Sequence, residues 1–564
     1  MKISPIPTPP LPPGRPRLVV TGFMGTGKTS AARRAAQLLA MPCVSTDDVV
    51  ADRAGATVQD IFGRDGEAAF RQLERRAVLE AAGASNVVID TGGGAALDAD
   101  AFGLLSRDAT VAVLTCGPEE ILRRLGLDAN AGGRPLLAGG DLDRIRELLG
   151  ERDEAYARAG TPLDTTGSSP EEVAAALAER HRSAGGAEAF ASIEVGVSEH
   201  GYEVVIGAGQ AASLGQRVRD AVPGASRAVI VCDRSITSIA RAAADSLAAA
   251  GLHVESPARA PDGLIDSTTV AVSIPSGEAA KRIDTVERLW NAFAERRVGR
   301  TDVVVAIGGG TTTDVAGFAA ATYGRGTPLV NVPTTLLGMV DAAIGGKTGI
   351  DHGGVKNAVG AFHHPKLVIC DPELLATLPK AVAREGVAEI AKAALVASPL
   401  TFWLLERPDQ VSDEPTRRWE WFVEQAVRIK AAFVAADPED AGVRHALNLG
   451  HTYAHGIESA SDYRVSHGDA VAIGLVAAAR LGEDLGVTDP ETARRLERLL
   501  GSFDLPVSVP SDLDPRRIAD AMGSDKKRRA GRGVFVVPTP DGAALADGVD
   551  QDQAMRALME VTPT

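Results

Sequence analysis

The sequence predicts an α/β protein in which a P-loop domain with a parallel sheet is followed by a Rossmann-like α/β domain and an all-helical domain. Three observations predict this fold class. Short β-rich apolar runs alternate with helical stretches, a pattern typical of parallel sheets covered by helices. A glycine-rich loop at 22–29 joins the first such run to a helix. After about Asp371 the strand pattern fades, and helical stretches continue to about residue 520.

Length and charge restrict the possible classes of protein. The chain has 564 residues, too many for one hydrophobic core, so we expect about two to four domains. Its net charge of −15 argues against nucleic-acid and anionic-membrane partners, and no uncharged apolar run approaches the ~20 residues of a membrane span. The four cysteines form no CxxC pair, which indicates reduced thiols. We therefore expect a soluble, cytoplasmic protein that binds small molecules.

The first part of the chain begins with a proline-rich segment, 1–14, for which we predict a disordered tail. The domain that follows is predicted to span 15–182, and small residues at 183–190 form a linker. Its predicted strands are Arg17–Val20, Val87–Ile89 and Thr110–Leu114. Its predicted helices are Thr29–Leu39, Ala68–Ala82 and Pro170–Arg182.

The second part starts near Ile193–Val195 and divides into an α/β domain at 191–372 and a helical domain at 373–555. The predicted strands of the α/β domain are Glu203–Ile206, Ala228–Cys232, Val303–Ile307, Leu329–Val332 and Leu367–Cys370. Binding sites often lie in the cleft between two such domains.

The loop Gly22-Phe23-Met24-Gly25-Thr26-Gly27-Lys28-Thr29 matches every fixed position of a phosphate-binding P-loop. In such a loop, backbone N–H groups and a helix N-terminus surround the phosphates, while the lysine adds charge and the threonine binds Mg²⁺. We therefore predict Mg²⁺ at Thr29 and ATP at Gly25, Thr26, Gly27, Lys28, Thr29 and Ser30. The motif alone does not identify the phosphate acceptor.

Further motifs follow the P-loop: Ser45-Thr46-Asp47, Asp65-Gly66-Glu67-Ala68-Ala69-Phe70-Arg71, Gly92-Gly93-Gly94 and Arg134-Pro135-Leu136-Leu137. With the P-loop they resemble shikimate kinase over about residues 15–182. The resemblance implies that shikimate is bound by Asp47, Arg71, Gly92, Gly93, Gly94 and Arg152. Asp47 would accept hydrogen bonds from its hydroxyls, and Arg71 and Arg152 would bind its carboxylate. Lys28 and Arg134 would act catalytically on the transferring phosphoryl group, together with Mg²⁺.

One position departs from that family's pattern, because Ser45 stands where the family has the first Asp of an Asp-x-Asp turn. A carboxylate role near Mg²⁺ must then weaken or pass to another residue, such as Asp48 or Asp90. The alternative is that this domain has lost catalysis and binds nucleotide as a sensing or assembly module. Ser45 is the only sequence feature that favours this alternative.

Histidines cluster in the helical domain. Three of the ten histidines, His451, His455 and His467, lie within 17 positions, and the first two share one face of a helix if that segment is helical. With a distant carboxylate such as Glu389, a histidine pair is a common catalytic site for a divalent metal. Satisfied core or surface histidines are the alternative.

Glycines and basic residues in the second part indicate an anion site. Val303–Ile307 runs into Gly308-Gly309-Gly310, and such a turn can bring backbone N–H groups against a pyrophosphate, although a plain tight turn explains it equally well. The basic residues in glycine-, Asn- or Asp-punctuated loops or beside the histidines are Arg325, Lys347, Lys356, Lys430, Arg444, Lys526 and Lys527. If several converge, they form a pocket for a phosphate and a carboxylate, whereas scattered surface charge is the alternative.

Eight stretches of the second part belong together: Gly308-Gly309-Gly310 through Asp314, Pro333-Thr334-Thr335-Leu336-Leu337, Gly345-Gly346-Lys347-Thr348-Gly349, Lys356-Asn357, Ala388-Glu389-Ile390-Ala391-Lys392, Asn448-Leu449-Gly450-His451-Thr452, His467-Gly468 and Asp525-Lys526-Lys527. Across about 191–550 they resemble 3-dehydroquinate synthase. The resemblance implies an NAD-dependent cyclisation of a seven-carbon keto-acid phosphate with loss of phosphate, in which NAD is regenerated. With the kinase resemblance, it implies a bifunctional enzyme of aromatic amino-acid precursor synthesis.

The resemblance also implies the residues of this second site. Its Zn²⁺ (or Co²⁺) ligands fall on Glu389, His451 and His467. Its NAD contacts fall on Gly277, Glu278, Lys281, Gly310, Asp314, Thr334, Thr335, Lys347, Lys356 and Thr377. Its substrate contacts fall on Arg325, Asp341, Asp351, Lys347, Lys392, Lys430, Arg444, Asn448, His455, Lys526 and Lys527, of which Lys347, Lys392 and His455 are expected to be catalytic. Arg325 is expected to reach the site of a partner subunit, which implies a homodimer.

Three residues depart from this second pattern. Asp351 replaces the usual Asn, Asp469 follows His467-Gly468 where a Glu is usual, and Thr313 precedes Asp314 where many members have Gly. We expect altered affinity and an unchanged reaction. The alternatives for this half are another sugar-phosphate cyclase, or an iron-dependent alcohol dehydrogenase, which would release NADH and would not need a phosphate pocket.

Overall fold

The computed structural model describes residues 1–125, 142–186, 189–197, 201–254, 271–353, 355–524 and 533–560. The chain forms two compact units. Unit 1 comprises Met1–Pro12, Phe190–Ala397 and Phe422–Thr564, and unit 2 comprises Pro13–Ala189 and Ser398–Trp421. Unit 1 contains both the predicted α/β domain and most of the predicted helical domain, and the units differ from the prediction in two further places. Met1–Pro12 belongs to unit 1, and Ser398–Trp421, which the sequence assigns to the helical domain, belongs to unit 2.

The described residues contain strands and helices in alternation over the first two thirds of the chain. The strands are β1 (Lys2–Ile6), β2 (Arg17–Gly22), β3 (Cys43–Ser45), β4 (Val88–Asp90), β5 (Ala109–Thr115), β6 (Thr161–Asp164), β7 (Ala191–Val195), β8 (Tyr202–Ile206), β9 (Arg227–Asp233), β10 (His253–Val254), β11 (Ala271–Ile274), β12 (Val303–Gly308), β13 (Leu329–Pro333), β14 (Lys347–His352), β15 (Val355–Phe362), β16 (Leu367–Cys370), β17 (Gly533–Thr539) and β18 (Gly542–Val549).

The α-helices become dominant after β16. They are α1 (Lys28–Leu39), α2 (Thr46–Ala54), α3 (Val58–Gly83), α4 (Ala99–Ser106), α5 (Pro118–Leu125), α6 (Leu142–Ala159), α7 (Pro170–Ser183), α8 (Leu214–Ala221), α9 (Thr237–Ala249), α10 (Ile283–Glu295), α11 (Gly310–Thr322), α12 (Lys380–Ala397), α13 (Pro399–Leu405), α14 (Pro415–Ala436), α15 (His451–Ala460), α16 (His467–Asp484), α17 (Pro490–Ser502), α18 (Pro515–Ser524) and α19 (Gln551–Met559). None of the helices in the described ranges is long and apolar enough to cross a membrane.

Unit 2 is built on a five-stranded parallel sheet with the strand order β3-β4-β2-β5-β6. Its central strand β2 is buried at every position, as expected for a strand covered by helices on both faces. Leu18 and Val20 of β2 pack in one apolar cluster with Ala31 and Ala35 of α1. This packing fixes α1 against the carboxyl end of β2, where the predicted P-loop lies.

Unit 1 contains an eight-stranded sheet with the order β10-β9-β12-β13-β16-β8-β7, in which β11 also pairs with β9. The pairings are parallel except that of β7 with β8. Alternate residues of β12 enter different apolar clusters: Val305 packs on one face of the sheet and Val304 on the other. Both faces are therefore covered, and the predicted α/β class is confirmed.

The helical part of unit 1 surrounds α16. This helix is buried along almost its whole length, which is typical of a central helix in a bundle. His467 is its first residue, and Ser466 caps it by accepting a hydrogen bond from the Asp469 N–H at 3.3 Å. The cap fixes where α16 begins and so fixes the position of His467.

The prediction of a disordered N-terminal tail is wrong for Lys2–Ile6. These residues form β1, which pairs antiparallel with β18, and β18 pairs with β17. Pro5 is tolerated because β1 is an edge strand, where a missing N–H costs no ladder hydrogen bond. Farther along, the Pro12 carbonyl accepts a hydrogen bond from Arg428 Nε at 2.9 Å. Backbone pairing with a distant strand thus orders a segment whose composition indicates disorder.

Candidate active sites

The P-loop of unit 2 lies between β2 and α1, as predicted. Gly25 and Gly27 have φ values of +82° and +90°, in the left-handed region that glycine adopts without strain. Because α1 begins at Lys28, the unpaired N–H groups of its first turn lie at the loop. Lys28 is largely buried, and its Nζ donates to the Phe23 carbonyl at 3.1 Å. Thr29 and Ser30 are exposed at the start of α1. This geometry suits phosphate binding.

Asp90 provides a carboxylate beside the P-loop. It ends β4, and its Oδ2 accepts a hydrogen bond from Thr29 Oγ1 at 2.6 Å. Burial raises the pKa of Asp90 to about 6, although the nearby Lys28 ammonium acts to lower it. Asp48, the other candidate to compensate for Ser45, is exposed and lies 3.6 Å from Arg33. Asp90 is therefore the carboxylate that is placed to act near a Mg²⁺ ion at Thr29.

Ser45 has a structural role instead. It is the N-cap of α2, and its Oγ accepts a hydrogen bond from the Asp48 N–H at 3.4 Å. Serine and aspartate serve equally well as N-caps, so the local fold does not require the aspartate that the family pattern has at this position. The departure at Ser45 thus leaves the start of α2 intact.

The predicted shikimate residues of unit 2 lie together around Gly92-Gly93-Gly94. The Gly93 carbonyl accepts hydrogen bonds from Arg152 Nη1 at 3.1 Å and from Tyr156 Oη at 2.6 Å. A side chain at Gly92 would meet Asp47, and one at Gly94 would collide with the Arg71 guanidinium. Burial raises the pKa of the Asp47 carboxyl, although Lys28 acts to lower it. Gly92 and Gly94 are thus needed because functional side chains occupy the space beside them.

Two residues of this cluster were not predicted. Glu74 is buried and holds Arg71 through an ion pair of 2.6 Å between Oε2 and Nη1, and Tyr156 supports the glycine loop. Glu74 follows Arg71 by three residues on α3, a spacing that places both on one helix face and is the signal that could have identified it. Arg134 lies outside the described residues.

In unit 1, the side chains of Glu389, His451 and His467 form the predicted metal cluster. They come from α12, α15 and α16, and one ligand atom from each lies within 4.8 Å of the others. Glu389 Oε1 lies 3.6 Å from His451 Nε2 and 3.5 Å from His467 Nε2. Neither oxygen of Glu389 makes a hydrogen bond of normal geometry to another described residue. Two imidazole nitrogens and one carboxylate oxygen fit an open divalent-metal site.

Other partners orient both histidines. His451 Nδ1 lies 3.2 Å from the Leu449 carbonyl, and His467 Nδ1 lies 3.1 Å from Glu458 Oε1. The Nε2 atoms are therefore the nitrogens directed at Glu389. Burial lowers the pKa of His451 to about 3, and the positive charge of Lys392 acts in the same direction. Burial also acts to lower the pKa of His467, but the nearby carboxylates of Glu389 and Glu458 outweigh it and raise the pKa to about 9.

A group of buried cations surrounds Asp341, beside the metal cluster. Lys430 Nζ lies 2.5 Å from Asp341 Oδ1, and Lys392 lies 3.9 Å from the same oxygen and also pairs with Glu389. Burial lowers the pKa of Lys430 to about 8, although Asp341 acts to raise it. Arg444 Nη1 donates to the Gly345 carbonyl at 3.2 Å. Asp341 and Glu389 together carry one negative charge fewer than these three cations carry positive charge, so the group is suited to bind an anion.

The predicted NAD residues form a second charged group. Lys281 pairs with Asp314 at 2.7 Å and donates to Asn357 Oδ1 at 2.9 Å. Lys356 lies between Glu278 at 3.0 Å and Glu458 at 2.8 Å. Gly277 has a φ of +67°, and Gly310 is the first residue of α11. Thr334 is buried at the end of β13, and Thr335 Oγ1 accepts a hydrogen bond from the Gly338 N–H at 3.0 Å.

The hairpin of β14 and β15 carries three of the predicted residues. Lys347 pairs with Asp440. Asp351 Oδ1 accepts a hydrogen bond from the Asn357 N–H at 2.7 Å, and the Asp351 N–H donates to the Lys281 carbonyl at 3.0 Å. Asp351 therefore has a local role in joining the two strands. Its predicted role as a substrate contact stays a prediction.

Some predicted residues are not brought into these groups. Within the described part of the chain, neither Arg325 nor Thr377 makes a hydrogen bond or ion pair to another predicted site residue. Asn448 ends a short 3₁₀ helix before His451, and His455 contacts the His451 ring edge-on at 5.5 Å. Lys526 and Lys527 lie outside the described residues. The structure adds Glu458 and Asp440, which hold Lys356 and Lys347 and were not predicted.

Comparisons with known proteins match segments of both units. Residues 24–182 match the shikimate kinase family. Residues 271–385 match the family described as 3-dehydroquinate synthase N-terminal, and residues 386–528 match the one described as 3-dehydroquinate synthase C-terminal. Together these matches contain most of the residues described above.

Curated relatives cover the second part of the chain. The 3-dehydroquinate synthase of Dehalococcoides mccartyi is 38% identical over 372 residues, which is 66% of this chain and 99% of that protein. The 3-dehydroquinate synthase of Mycobacterium leprae is 40% identical over 337 residues, which is 60% of this chain and 88% of that protein. About a third of this chain therefore lies outside the match to the first relative.

A solved structure has the same fold as unit 1. The 2-epi-5-epi-valiolone synthase of Streptomyces hygroscopicus subsp. jinggangensis, solved with NAD⁺ and Zn²⁺ bound, is 29% identical. The alignment has a TM-score of 0.56 and covers 65% of this chain and 98% of that one.

Proposed function

Because the chain belongs to the 3-dehydroquinate synthase family and carries a shikimate kinase domain at 24–182, we propose that it catalyses two reactions of the shikimate pathway. Unit 2 transfers the terminal phosphoryl group of ATP to shikimate, giving shikimate 3-phosphate. Unit 1 converts 3-deoxy-D-arabino-heptulosonate 7-phosphate into 3-dehydroquinate and releases phosphate. The observation that carries the proposal is that each compact unit holds its own cluster of site residues. The two reactions are not consecutive, so transfer of a product between the sites is not implied.

In the kinase reaction, the residues of unit 2 mainly position the reactants and neutralise charge. Lys28 and the first turn of α1 would bind the phosphates of ATP, and Thr29 with Asp90 would hold Mg²⁺. Asp47 Oδ1 is buried and has no hydrogen-bond partner among the described residues, so it is available to a shikimate hydroxyl. Arg71, held by Glu74, and Arg152 bind the carboxylate of shikimate.

In the synthase reaction, Glu389, His451 and His467 would hold the metal ion. When bound, Zn²⁺ would acidify a coordinated substrate hydroxyl, and NAD would take up and return a hydride at that carbon. Lys392, Lys430 and Arg444 bind the anionic groups of the substrate and stabilise the charge of the departing phosphate. His455, in contact with His451, is our candidate for carrying a proton.

The chemistry of the ligands narrows the choice of metal ion. Two imidazoles and a carboxylate suit Zn²⁺ and also Co²⁺. We propose Zn²⁺, and the Zn²⁺-bound relative that is 29% identical to this chain supports the choice. Dialysis against a chelator, followed by assay of both reactions with Mg²⁺ restored, should abolish synthase turnover and leave kinase turnover unchanged. Zn²⁺ and Co²⁺ are then added back separately, and synthase turnover that survives complete metal removal would contradict the proposal.

We also propose that the protein is a homodimer through unit 1. Arg325 is exposed and has a φ of +66°, a conformation that side chains rarely adopt without a reason. The hairpin also exposes three large apolar side chains of β15: Val355, Val359 and Phe362 are 58%, 39% and 50% exposed. Light scattering should give twice the chain mass, and Val359→Lys should lower it. A monomeric wild-type protein would contradict this proposal.

A paired assay tests the two activities on the intact chain. Lys28→Ala should abolish ATP-dependent phosphorylation of shikimate and leave phosphate release from the seven-carbon substrate unchanged. His451→Ala should have the opposite effect, because the two residues lie in different units. Each variant is the control for the other. Steady accumulation of NADH with a simple alcohol, without phosphate release, would instead indicate an alcohol dehydrogenase, and absent kinase activity in the wild-type protein would indicate a non-catalytic nucleotide domain.

A further inference from the structure

Glu458 lies between the metal cluster and the predicted NAD residues of unit 1. It belongs to α15 and is only 2% exposed. Its Oε1 lies 3.1 Å from His467 Nδ1 and 2.8 Å from Lys356 Nζ. One buried carboxylate oxygen therefore binds a residue of each group. A buried carboxylate is stable only with such partners, so the three side chains depend on one another.

The contact with His467 determines how this histidine can bind a metal. A carboxylate accepts hydrogen bonds, so Nδ1 carries a proton, and Nε2 is the nitrogen that is left to bind a metal. Nε2 is the nitrogen that lies 3.5 Å from Glu389. The corresponding atom of His451, Nδ1, instead faces a backbone carbonyl, which bears no net charge. Carboxylates behind metal-binding histidines fix the ring and increase its basicity, and their loss typically weakens metal binding by about 10–100-fold.

The contact with Lys356 leads to the other group. Lys356 lies on β15, and its Nζ also pairs with Glu278 at 3.0 Å. The two acidic partners differ, because Glu278 is 43% exposed whereas Glu458 is buried. Glu458 is therefore the less screened and stronger of the two partners of Lys356. Because His467 and Lys356 bind the same oxygen, a change that fixes Glu458 against His467 also fixes the partner of Lys356.

We propose that Glu458 is a positioning residue that couples the metal and NAD sites, so that each ligand raises the affinity of the chain for the other. This inference rests on the proposed synthase function. When a metal withdraws charge from His467, the Nδ1–H bond to Glu458 strengthens and the carboxylate is fixed in place. Lys356 is then held in one position for NAD. By thermodynamic linkage, NAD must raise metal affinity by the same factor as the metal raises NAD affinity.

The experiment measures the binding of Zn²⁺ and NAD to the full-length chain. Zn²⁺ affinity is measured by competition with a chromogenic chelator, with and without saturating NAD, and NAD affinity is measured by calorimetry with and without Zn²⁺. In the wild-type protein each ligand should raise the affinity for the other by at least about fivefold. Glu458→Gln, which keeps the volume and removes the charge, should weaken Zn²⁺ binding about 10–100-fold and reduce the coupling factor to below about twofold.

Two further variants and a spectroscopic measurement distinguish a positioning role of Glu458 from a general disturbance of the structure. Glu483→Gln is the matched control, because Glu483 lies on α16 about 24 Å from His467 along the helix and should leave affinity and coupling unchanged. Lys356→Met should abolish the coupling while Zn²⁺ affinity without NAD stays within about threefold. The visible spectrum of the Co²⁺-loaded protein should change in Glu458→Gln and not in Glu483→Gln, because only the first alters a ligand of the metal.

Each outcome decides the inference. Wild-type Zn²⁺ and NAD affinities that do not depend on each other would overturn it, as would unchanged coupling in Glu458→Gln. If Glu458→Gln does not fold, Lys356→Met decides the question alone, because coupling that persists there excludes the path through Glu458. A wild-type protein that binds neither ligand would overturn the proposed synthase function itself. A wild-type protein that cyclises its substrate while Glu458→Gln keeps its coupling would overturn only this inference.

Discussion

Asp90 should destabilise unit 2 in the absence of ligand, so its replacement by asparagine should stabilise the fold. Asp90 is only 3% exposed, and burial raises its pKa to about 6, compared with 3.8 for an ordinary aspartate. This difference corresponds to about 3 kcal/mol in the free energy of unfolding at pH 7. Asp90→Asn keeps an oxygen that can accept the hydrogen bond from Thr29 and removes the buried charge. Residues in active sites commonly have such a cost in stability.

The stabilisation by Asp90→Asn should depend on pH in a defined direction. Because the pKa of Asp90 is raised in the folded state, its protonated form contributes stability below pH 3.8, and this contribution is lost as the pH rises through about 6. The advantage of Asp90→Asn should therefore be full at pH 7 and should shrink as the pH falls from about 6 towards 4. For a domain of roughly 200 residues, about 3 kcal/mol corresponds to a rise of about 6–12 °C in Tm.

The assay is thermal unfolding in metal-free buffer, repeated with Mg²⁺ and ATP. The transition of unit 2 is the one that ATP shifts, and the transition of unit 1 serves as an internal control. Asp48→Asn is the matched control, because Asp48 is exposed and its replacement should change stability by less than about 0.5 kcal/mol. Mg²⁺-ATP should stabilise the wild-type protein more than Asp90→Asn, which should also lose kinase activity. A metal-free Tm of Asp90→Asn at or below that of the wild-type protein at pH 7 would refute the reasoning.

Three further predictions concern other described contacts. Gly94→Ala should raise the KM for shikimate at least about tenfold with a smaller change in kcat, because the added methyl group displaces the Arg71 guanidinium, and an unchanged KM would contradict this placement. Asp351→Asn should change the KM for the seven-carbon substrate by less than about twofold, because an amide oxygen can still accept the hydrogen bond from Asn357 in the hairpin; a large change would show that Asp351 contacts substrate. Deletion of residues 1–6 should expose the edge of β18 and increase aggregation of the full chain, as measured by light scattering, whereas Lys2→Ala as the control should not.

The sequence predicted best the features that depend on local patterns. The apolar runs at Val303–Ile307 and Leu367–Cys370 are strands because β-branched and apolar residues pack well inside a sheet that is covered on both faces. The P-loop was predicted because its glycines and Lys28 must stand next to one another to surround a phosphate. The metal cluster was predicted because few residue types bind Zn²⁺ and because these residues match a known family.

Features that depend on distant partners were not predicted. Nothing near Lys2–Ile6 indicates that β18, more than 500 residues later, supplies the hydrogen bonds of β1. The helical pattern of Pro399–Leu405 predicts α13 but not the unit that it joins, where Trp403 Nε1 donates to Asp52 Oδ2 at 2.9 Å. Glu458 follows His455 by three residues and resembles an ordinary helix-surface glutamate until the fold places Lys356 and His467 beside it.

The pairing of β1 with β18 has a consequence for synthesis of the protein on the ribosome. Lys2–Ile6 are among the first residues made, yet their partners, Ala543–Asp547, are made after almost all the rest of the chain. The folding of unit 2 is also delayed, because Ser398–Trp421 is synthesised long after Pro13–Ala189. Neither unit can therefore be completed while the chain grows in simple order. Until β18 has been synthesised, the first segment of the nascent chain is free to pair incorrectly. During this period we expect the chain to depend most on chaperones.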